Sequence, residues 1–404
     1  DSSTTQISLN ADAAHGGLEN YEGTSGFQPG STFKAFVLAE WYQEGHSGYE
    51  TMNTSPATFG PSSWRISCDP SKADTWTVGN ANASEGGTHN VIQNTAMSIN
   101  VGFAQMTSEM DICNITDRAA KLGVTTNSGQ ALTPTPSIAL GSQEVTPLQM
   151  ASAYATFAAH GVYCRPIAID AIEDADGNPL EVPSANCTQA MDATAADKTA
   201  QTLTHVLSDK TGTGKDVPLN GRQAAGKTGT TESMDNAWFT GFTPQLSTAV
   251  WLGHSEGDSS MDHQYVGGRY YQTMYGSDAP VPLWKMYMEK ALEGQPAQGF
   301  IKGVAVHSPF GSAFELLANP VHEYTRGLLG AVLSIEAGSK RLHQVRGVVP
   351  SPSEFVKGDR FAPRSSHPTV GLETRPVLKP VPGTTEHSYA ITPELETLLA
   401  KEKH

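Results

Sequence analysis

The chain has 404 residues, a formal net charge of -15 and 38% hydrophobic residues. This length allows two or three domains, and the apolar content can fill a sizeable core. The negative charge and the lack of a long basic block argue against partners such as nucleic acid or anionic membrane surfaces. No run of about 18 apolar residues occurs, so no transmembrane helix is predicted.

The first strong helical pattern begins after Gly30, where Phe33, Phe36, Val37 and Trp41 form an apolar stripe that predicts a central, largely buried helix. Ser31 lies in its first turn and Lys34 follows three residues later, so both side chains project to the same side. A lysine with a lowered pKa can take the proton of a serine hydroxyl, and a helix N-terminus offers N–H groups to an oxyanion. The alternative is a capping serine beside a surface lysine. Lys34 argues against it, because it interrupts an otherwise apolar run.

A second candidate element is the Ser-x-Asn pattern at Ser98 and Asn100. The pattern also occurs at Ser8 and Ser184, so it is weak by itself. Ser98 lies between two short helical runs, NTAM and VGFAQM, as a loop held between helices would. A serine there can relay a proton, and the alternative for Asn100 is a helix cap.

The next segments predict the main secondary structure. Thr146 and Pro147 open a helix that Gly161 ends, with Met150, Tyr154 and Phe157 on one face. NAWFTGF and LSTAVWLG flank a short connection and predict an antiparallel strand pair, and PLWKMYMEKAL predicts a closing helix. Helices followed by strands, without regular alternation, predict an α+β fold.

The tripeptide Lys-Thr-Gly occurs twice, at 210–212 and at 227–229. The first copy runs into glycine, aspartate and proline without hydrophobic alternation, which predicts a loop. The second copy precedes the strand pair, so it predicts a neighbouring strand with Lys227 presented on the sheet. Glycine at Gly229 would let another backbone come close. We therefore expect the second copy to be the functional one.

The four cysteines, at positions 68, 113, 164 and 187, show no CxxC spacing, which argues against a zinc or redox motif. No metal or cofactor is expected. Cys164 and Cys187 flank a compact segment, so a disulfide and two buried free thiols are the alternatives there. Four cysteines permit three pairings, and the sequence does not choose between them.

The composition changes near residue 300. The net charge is -17 up to Phe300 and +2 after it, and 10 of the 25 prolines lie in the last 104 residues. We therefore predict one domain at 1–298 and an irregular, proline-rich tail at 299–404.

The three motifs occur in the order SxxK, SxN and KTG, at residues 31–34, 98–100 and 227–229, and this set resembles penicillin-binding proteins and serine β-lactamases. The flanking text GFQPGSTFK and AGKTGTTESMDNAWFTGFTP is similar to the transpeptidase domain of class A, bifunctional penicillin-binding proteins. That resemblance covers residues 1 to about 298. It implies their α+β fold, an antiparallel sheet packed with helices plus a helical subdomain.

The same resemblance implies a D,D-transpeptidase that links peptidoglycan stem peptides through an acyl-enzyme, which β-lactam antibiotics such as penicillin also form. It places the parent protein at the extracytoplasmic face of the bacterial membrane, with cell-wall synthesis proteins as partners and no cofactor. Roles follow by position: Ser31 is the nucleophile, Lys34 its base, Ser98 a proton relay and Asn100 a support for Lys34 and for the substrate amide. Lys227 is also implied to be catalytic, and Lys227, Thr228 and Thr230 would meet the terminal carboxylate or its β-lactam counterpart. The implied substrate-binding segment is Thr228, Gly229, Thr230 and Thr231, and the N–H groups of Ser31 and Thr230 would form the oxyanion hole.

The family carries a membrane helix and a glycosyltransferase domain ahead of this region, and the sequence begins close to the SxxK motif. One or more early sheet strands, up to all but TQISLN, are therefore expected to be missing. In the tail, ELLANPVHEYTRGLLGAVLS, GVVPSPSEF and FAPRSSHP resemble the C-terminal extension of oligopeptide and dipeptide ABC-transporter ATPases. Glu323, Asp359 and Ser365 depart from that pattern, which argues against a cluster-binding role, and no ATPase activity is expected.

Two other activities share these motifs, and an inactive module is a third alternative. A β-lactamase also needs an activated water, and no base for it is identified in the sequence. A D,D-carboxypeptidase differs only in using water as the acceptor. From another class, the chain could be an inactive peptidoglycan-binding or interaction module.

Overall fold

The computed structural model describes residues 18–19, 25–82, 85–169, 171–254, 259–300, 377–380 and 388–391. The chain divides into two compact units, Asp1–Ile301 and Lys302–His404. Within the described ranges, no helix is long and apolar enough to cross a bilayer. The expected early strand TQISLN, the Ser8 pattern and the tail segments with the transporter resemblance lie outside the described residues.

The first unit contains α-helices α1 to α7, of which α5 begins with a complete capping box at Thr146 and Gln149. Short 3-10 turns precede or separate several of them, and one of these, Gly30–Phe33, leads directly into α1. The helices are α1 (Lys34–Gln43), α2 (Val91–Met97), α3 (Asn100–Glu109), α4 (Ile112–Lys121), α5 (Pro147–Ala158), α6 (Ala193–Ser208) and α7 (Pro280–Ala291).

The strands of the first unit form one antiparallel three-stranded sheet, in the order β11-β12-β13, and several two-stranded pairs. The pairs are β1 with β2, β3 with β6, β4 with β5, β7 with β10, β8 with β9 and β14 with β15. The strands are β1 (Leu18–Glu19), β2 (Ser25–Gly26), β3 (Thr51–Asn53), β4 (Ala57–Phe59), β5 (Trp76–Val78), β6 (Thr88–Asn90), β7 (Val162–Tyr163), β8 (Ile172–Glu173), β9 (Pro179–Leu180), β10 (Thr188–Gln189), β11 (Ala225–Thr230), β12 (Asn236–Phe242), β13 (Ser247–Gly253), β14 (Gln264–Val266) and β15 (Arg269–Tyr271).

Helix α1 lies at the centre of this unit. Every residue from Lys34 to Tyr42 is buried, because α3, α4 and α6 all contact the helix. The helix is therefore buried on all sides, and the predicted apolar stripe is only one of its buried faces. The prediction of a central, largely buried helix is confirmed. The Lys34 side chain is enclosed with its neighbours rather than presented at the surface, so the alternative of a surface lysine is wrong.

The start of this helix differs from the prediction. Ser31 lies in the 3-10 turn Gly30–Phe33, and the α-helix begins at Lys34. Gly30 adopts a φ of +55°, a left-handed conformation that glycine reaches without steric cost, and 3-10 turns are frequent at the N-termini of α-helices. Ser31 and Lys34 therefore lie on different turns, Ser31 in the 3-10 turn and Lys34 in the first turn of the α-helix.

The elements predicted after residue 146 are confirmed. Helix α5 buries Met150, Tyr154 and Phe157, and α5 and α7 pack against β12 and β13, while α6 contacts β11. Aromatic rings join the layers: Phe36 of α1 lies 6.3 Å from Tyr154, and Tyr154 lies 6.1 Å from Phe242 of β12. The result is an α+β arrangement in which the three-stranded antiparallel sheet packs against helices, as predicted.

All four cysteines are paired. Cys68 is joined to Cys113 and Cys164 to Cys187. The disulfide alternative for the second pair is therefore confirmed, and the free-thiol alternative is wrong.

The second unit is described only at β16 (Val377–Pro380) and β17 (Ser388–Ile391). These strands pair in antiparallel register, with Val377 opposite Ile391 and Pro380 opposite Ser388.

Candidate active site

One cleft in the first unit brings the three motifs together. Its volume is about 660 Å³, and residues from six separate segments line it. The lining residues used below are Ser31, Glu85, Ser98, Asn100, Thr213, Thr228, Thr230 and Thr231. A second cavity, of about 220 Å³, contains a pair between His160 and Asp197 but none of the motif residues. We therefore place the candidate active site in the larger cleft.

Ser31 reaches the cleft because the chain before it passes very close to strand β11. A side chain on Gly30 would come within 2.7 Å of the Thr230 carbonyl, and one on Gly229 would come within 2.5 Å of the Pro29 carbonyl. Both positions must therefore be glycine for the two backbones to touch, as predicted for Gly229. This contact places the Ser31 turn beside the open edge of β11.

The two motif lysines converge on one serine. Lys34 Nζ donates to Ser98 O at 2.7 Å, to Ser98 Oγ at 3.2 Å and to Asn100 Oδ1 at 2.6 Å. Lys227 Nζ donates to the same Ser98 Oγ at 2.7 Å. Lys34 Nζ also lies 5.3 Å from the centroid of the Phe103 ring. Both lysine side chains are fully buried, so these contacts replace the water that they would otherwise bind.

Burial changes the protonation of both amines. Desolvation lowers the pKa of Lys34 well below its usual value, the charge of Lys227 lowers it further, and the Glu85 carboxylate raises it. Desolvation also lowers the pKa of Lys227 to about 7. The pair can therefore give up a proton near neutral pH, which is what a base for a serine hydroxyl requires.

Ser98 owes its position to the junction of two helices. It ends α2 in a left-handed conformation, with φ 59° and ψ 38°, and Asn100 is the first residue of α3. The cap of α3 is Ile99, so the helix-cap alternative for Asn100 is wrong. Its amide is used instead to accept from Lys34 and to donate to the Gly79 carbonyl at 3.2 Å.

The Ser31 hydroxyl has no hydrogen-bond partner among the described residues, although it lines the cleft. The Nζ of Lys34 is directed instead to Ser98 and Asn100. Catalytic hydrogen bonds often tighten only when substrate is bound, so this arrangement is compatible with Lys34 acting on Ser31.

The second Lys-Thr-Gly copy forms strand β11, as predicted, and the first lies in the turns after α6. Thr228 and Thr230 line the cleft from β11. Thr231 N donates to Asn236 O across the β11–β12 turn. By the alternation of an antiparallel ladder, the Thr230 N–H then faces the open edge, where the Ser31 turn lies.

The last two hydroxyls of this segment have different surroundings. Thr230 Oγ1 accepts from the N–H of Gly276 at 3.1 Å, so its own proton remains available to the cleft. Thr231 Oγ1 donates to the Asp235 carboxylate and accepts from Asn236 N at 3.1 Å. That hydroxyl is used to hold the turn, and a contact between Thr231 and substrate stays a prediction.

Several cleft residues were not predicted from the sequence, and two of them, Glu85 and Thr213, contact the motif residues electrostatically or by hydrogen bond. Glu85 is 8% exposed, and Asn82 Nδ2 donates to its Oε1 at 2.7 Å. Thr213 Oγ1 lies 2.7 Å from Thr228 Oγ1. Glu85 stands in an irregular segment and Thr213 directly follows the Lys-Thr-Gly copy interpreted as a loop, so neither carried a motif. Among the described residues, no group of three His, Cys, Asp or Glu side chains is arranged to hold a metal ion.

Comparisons with known proteins match these features. The family model for the penicillin-binding protein transpeptidase domain matches residues 3–270, and the model for the oligopeptide/dipeptide transporter C-terminal region matches residues 310–369. Penicillin-binding protein 1A of Aquifex aeolicus is 30% identical over 68% of this chain and 34% of its own length. Penicillin-binding protein 1A of Mycolicibacterium smegmatis is 28% identical over 73% of this chain and 38% of its own length.

Solved structures give the same result for the fold. The PonA1 protein of Mycobacterium tuberculosis in complex with penicillin V superposes with a TM-score of 0.58 at 28% identity, covering 70% of this chain and 73% of that one. The chain spans a little over a third of the length of the curated relatives that it matches.

Proposed function

Since the chain belongs to the penicillin-binding protein transpeptidase family, we propose that it is a serine D,D-transpeptidase that cross-links peptidoglycan stem peptides and is acylated by penicillin. The observation that carries the proposal is the convergence of Lys34 and Lys227 on the Ser98 hydroxyl, in a cleft that Ser31 also lines. Such a cluster is costly to bury, and it supplies a base, a proton relay and a cation within one site.

In the first step, neutral Lys34 takes the Ser31 proton as Ser31 Oγ attacks the carbonyl carbon of the donor peptide bond. The oxygen of that carbonyl becomes an oxyanion, and we expect the N–H groups of Ser31 and Thr230 to stabilise it. The bond to the terminal D-residue then breaks, and its nitrogen receives a proton through Ser98. The product is an ester between Ser31 and the donor peptide.

The side of the cleft formed by Lys227, Thr228 and Thr230 fits the free carboxylate of the departing residue, and we call it the positive wall. Lys227 is a buried cation when protonated, and Thr228 and Thr230 supply hydroxyl groups beside it. Charge-assisted hydrogen bonds of this kind are stronger than neutral ones. A penicillin presents a carboxylate at a similar distance from its reactive carbonyl, which is why the same wall would accept it.

In the second step, an amine of another stem peptide attacks the ester and forms the cross-link. Ser98 and Lys34 then return the proton of the amine to Ser31 by the reverse path. Water as the acceptor would give a D,D-carboxypeptidase instead. Peptidoglycan lies outside the cytoplasmic membrane, so we propose that the parent protein acts at the extracytoplasmic face, with other cell-wall synthesis proteins as partners.

A fluorescent penicillin tests the acylation. The purified chain should give one labelled band on a denaturing gel, and peptide mapping should place the added mass on Ser31. Ser31→Ala should abolish the label, whereas Ser71→Ala, at an exposed serine far from the motifs in sequence, should not change it. Label on a different serine, or none on a protein shown to be folded, would contradict the proposal.

A second assay separates the two acceptors. The chain is given a synthetic stem-peptide donor with and without a free amine acceptor, and the products are separated by mass. A cross-linked product that grows with amine concentration supports the transpeptidase. Hydrolysis alone at every amine concentration would show a carboxypeptidase.

A further inference from the structure

The loop after α6 contributes a hydroxyl to the cleft wall. Thr213 lies in this loop, beyond the first Lys-Thr-Gly copy, and its Oγ1 is 2.7 Å from Oγ1 of Thr228. Both side chains line the cleft. Thr228 itself belongs to the second copy, on β11, so the residue directly after the first copy contacts the second copy.

The backbone holds Thr213 firmly in place. Thr213 N donates to Ala96 O at 3.0 Å, and Gly214 N donates to Val206 O at 2.9 Å. Ala96 lies in α2, two residues before Ser98. Thr213 is therefore fixed between the helix that carries Ser98 and the strand that carries Lys227.

The protons of the pair can be counted. Two hydroxyls carry two protons, and their mutual hydrogen bond uses one of them. The second proton is then available to an acceptor in the cleft, whichever threonine donates to the other. A hydroxyl that also accepts a hydrogen bond is a better donor, because the chain of bonds polarises its O–H group.

We propose that Thr213 is a positioning residue that orients and polarises the Thr228 hydroxyl for the carboxylate of the substrate. The inference rests on the proposed function, because that function supplies the carboxylate-bearing ligand. The chemical class recognised is a carboxylate adjacent to the scissile amide. Without Thr213, the Thr228 hydroxyl keeps its proton but loses the partner that sets its direction.

The obvious alternative is that Thr213 only ties the loop to the sheet. The two roles differ in one respect. A structural tie affects every acylating agent equally, whereas a role at the carboxylate affects only agents that carry one. An ester of the penicillin carboxylate provides that comparison, since it keeps the reactive ring and lacks the negative charge.

The test compares Thr213→Val, which keeps the shape, with Thr213→Ser, which keeps the hydroxyl. Thr211→Val, at an exposed threonine of the same loop, is the matched control. Acylation rates are measured with benzylpenicillin and with its methyl ester. We expect Thr213→Val to lower the rate with benzylpenicillin about tenfold or more and to leave the rate with the ester within about twofold of wild type. Thr213→Ser and Thr211→Val should stay near wild type with both agents.

Two other outcomes with reactive agents overturn the inference. An equal loss with both agents shows a structural tie, and no loss with benzylpenicillin shows no role. If the ester does not acylate the wild type, the comparison rests on the rates of Thr213→Ser and Thr213→Val with benzylpenicillin. Equal rates for these two variants would refute a role of the Thr213 hydroxyl. A folded wild type that no penicillin acylates would refute the proposed function itself, and this inference with it.

Discussion

Replacing Lys227 by methionine should make the protein less active and more stable at the same time. Lys227 Nζ donates to Ser98 Oγ at 2.7 Å and to Thr228 O at 3.0 Å, and the side chain is fully buried. Methionine preserves most of its length and apolar volume but cannot carry a charge. The substitution therefore removes a cation from the cleft with little change in packing.

The loss of activity follows from the charge. Removing one preorganised electrostatic group from an acyl-transfer site costs about 3 kcal/mol in transition-state stabilisation, or about a hundredfold in rate. We expect a reduction of this order in the rate of penicillin acylation. Lys210→Met, at the exposed lysine of the first Lys-Thr-Gly copy, should leave the rate nearly unchanged.

The gain in stability follows from the pKa of Lys227, which burial lowers from 10.5 to about 7. Because the pKa is lower in the folded state, folding disfavours the charged amine at any pH below 10.5, and the penalty is complete below about pH 7. At about 1.4 kcal/mol for each pKa unit, that penalty is on the order of 5 kcal/mol. Methionine removes it but loses two hydrogen bonds, so a net gain of about 2 kcal/mol is expected at low pH.

The measurement is thermal unfolding of the wild type and of Lys227→Met across the pH range, beside the acylation rate. The gain in the free energy of unfolding should be largest below pH 7 and should shrink as the pH rises above 7, because the penalty on the charged amine fades. It should turn into a loss before pH 10.5, since the two lost hydrogen bonds then outweigh the remaining penalty. A variant that lost activity together with stability would refute the argument, since unfolding would then explain both. Equal effects of the substitutions at 210 and 227 would refute the choice of the second copy.

Three further predictions concern other parts of the first unit and the tail. Glu85→Gln removes a carboxylate that raises the pKa of Lys34, so the pKa of Lys34 should fall. The rising limb of the acylation pH profile, which reports neutral Lys34, should therefore move to lower pH, and a move to higher pH would contradict the assignment. Gly229→Ala places a methyl group within 2.5 Å of the Pro29 carbonyl, which should displace the Ser31 turn and slow acylation at least about tenfold. The control Gly60→Ala, whose methyl group would have no atom within 4 Å, should behave as wild type. Deleting residues 302–404 should leave the acylation rate within about threefold, because the motifs all lie in the first unit; an insoluble or unreactive product would argue against independent units.

Much of the fold and of the candidate site was accessible from short stretches of sequence. Thr146 and Pro147 predicted the start of α5, and the apolar run after Gly30 predicted a central helix. These signals are local, because capping and hydrophobic periodicity act within a few turns of chain. The three motifs in order indicated penicillin-binding proteins or serine β-lactamases, and the flanking text narrowed the resemblance to the transpeptidase domain, which the match over residues 3–270 confirms. The start of α1 at Lys34 rather than Ser31 was missed, since a 3-10 turn and an α-turn share the same residue preferences.

Only the tertiary structure decided how these pieces meet. Lys34 and Lys227 lie 64 and 129 residues from Ser98 along the chain, and no local pattern says that both reach one hydroxyl. The same is true of Thr213 beside Thr228, of Glu85 in the cleft and of the disulfide pairing. The lowered pKa of each lysine also belongs to the folded state, because desolvation is produced by all the segments packed around the amine. The sequence by itself determined which residues carry the chemistry, whereas their protonation and mutual contacts arise only when distant segments exclude water together.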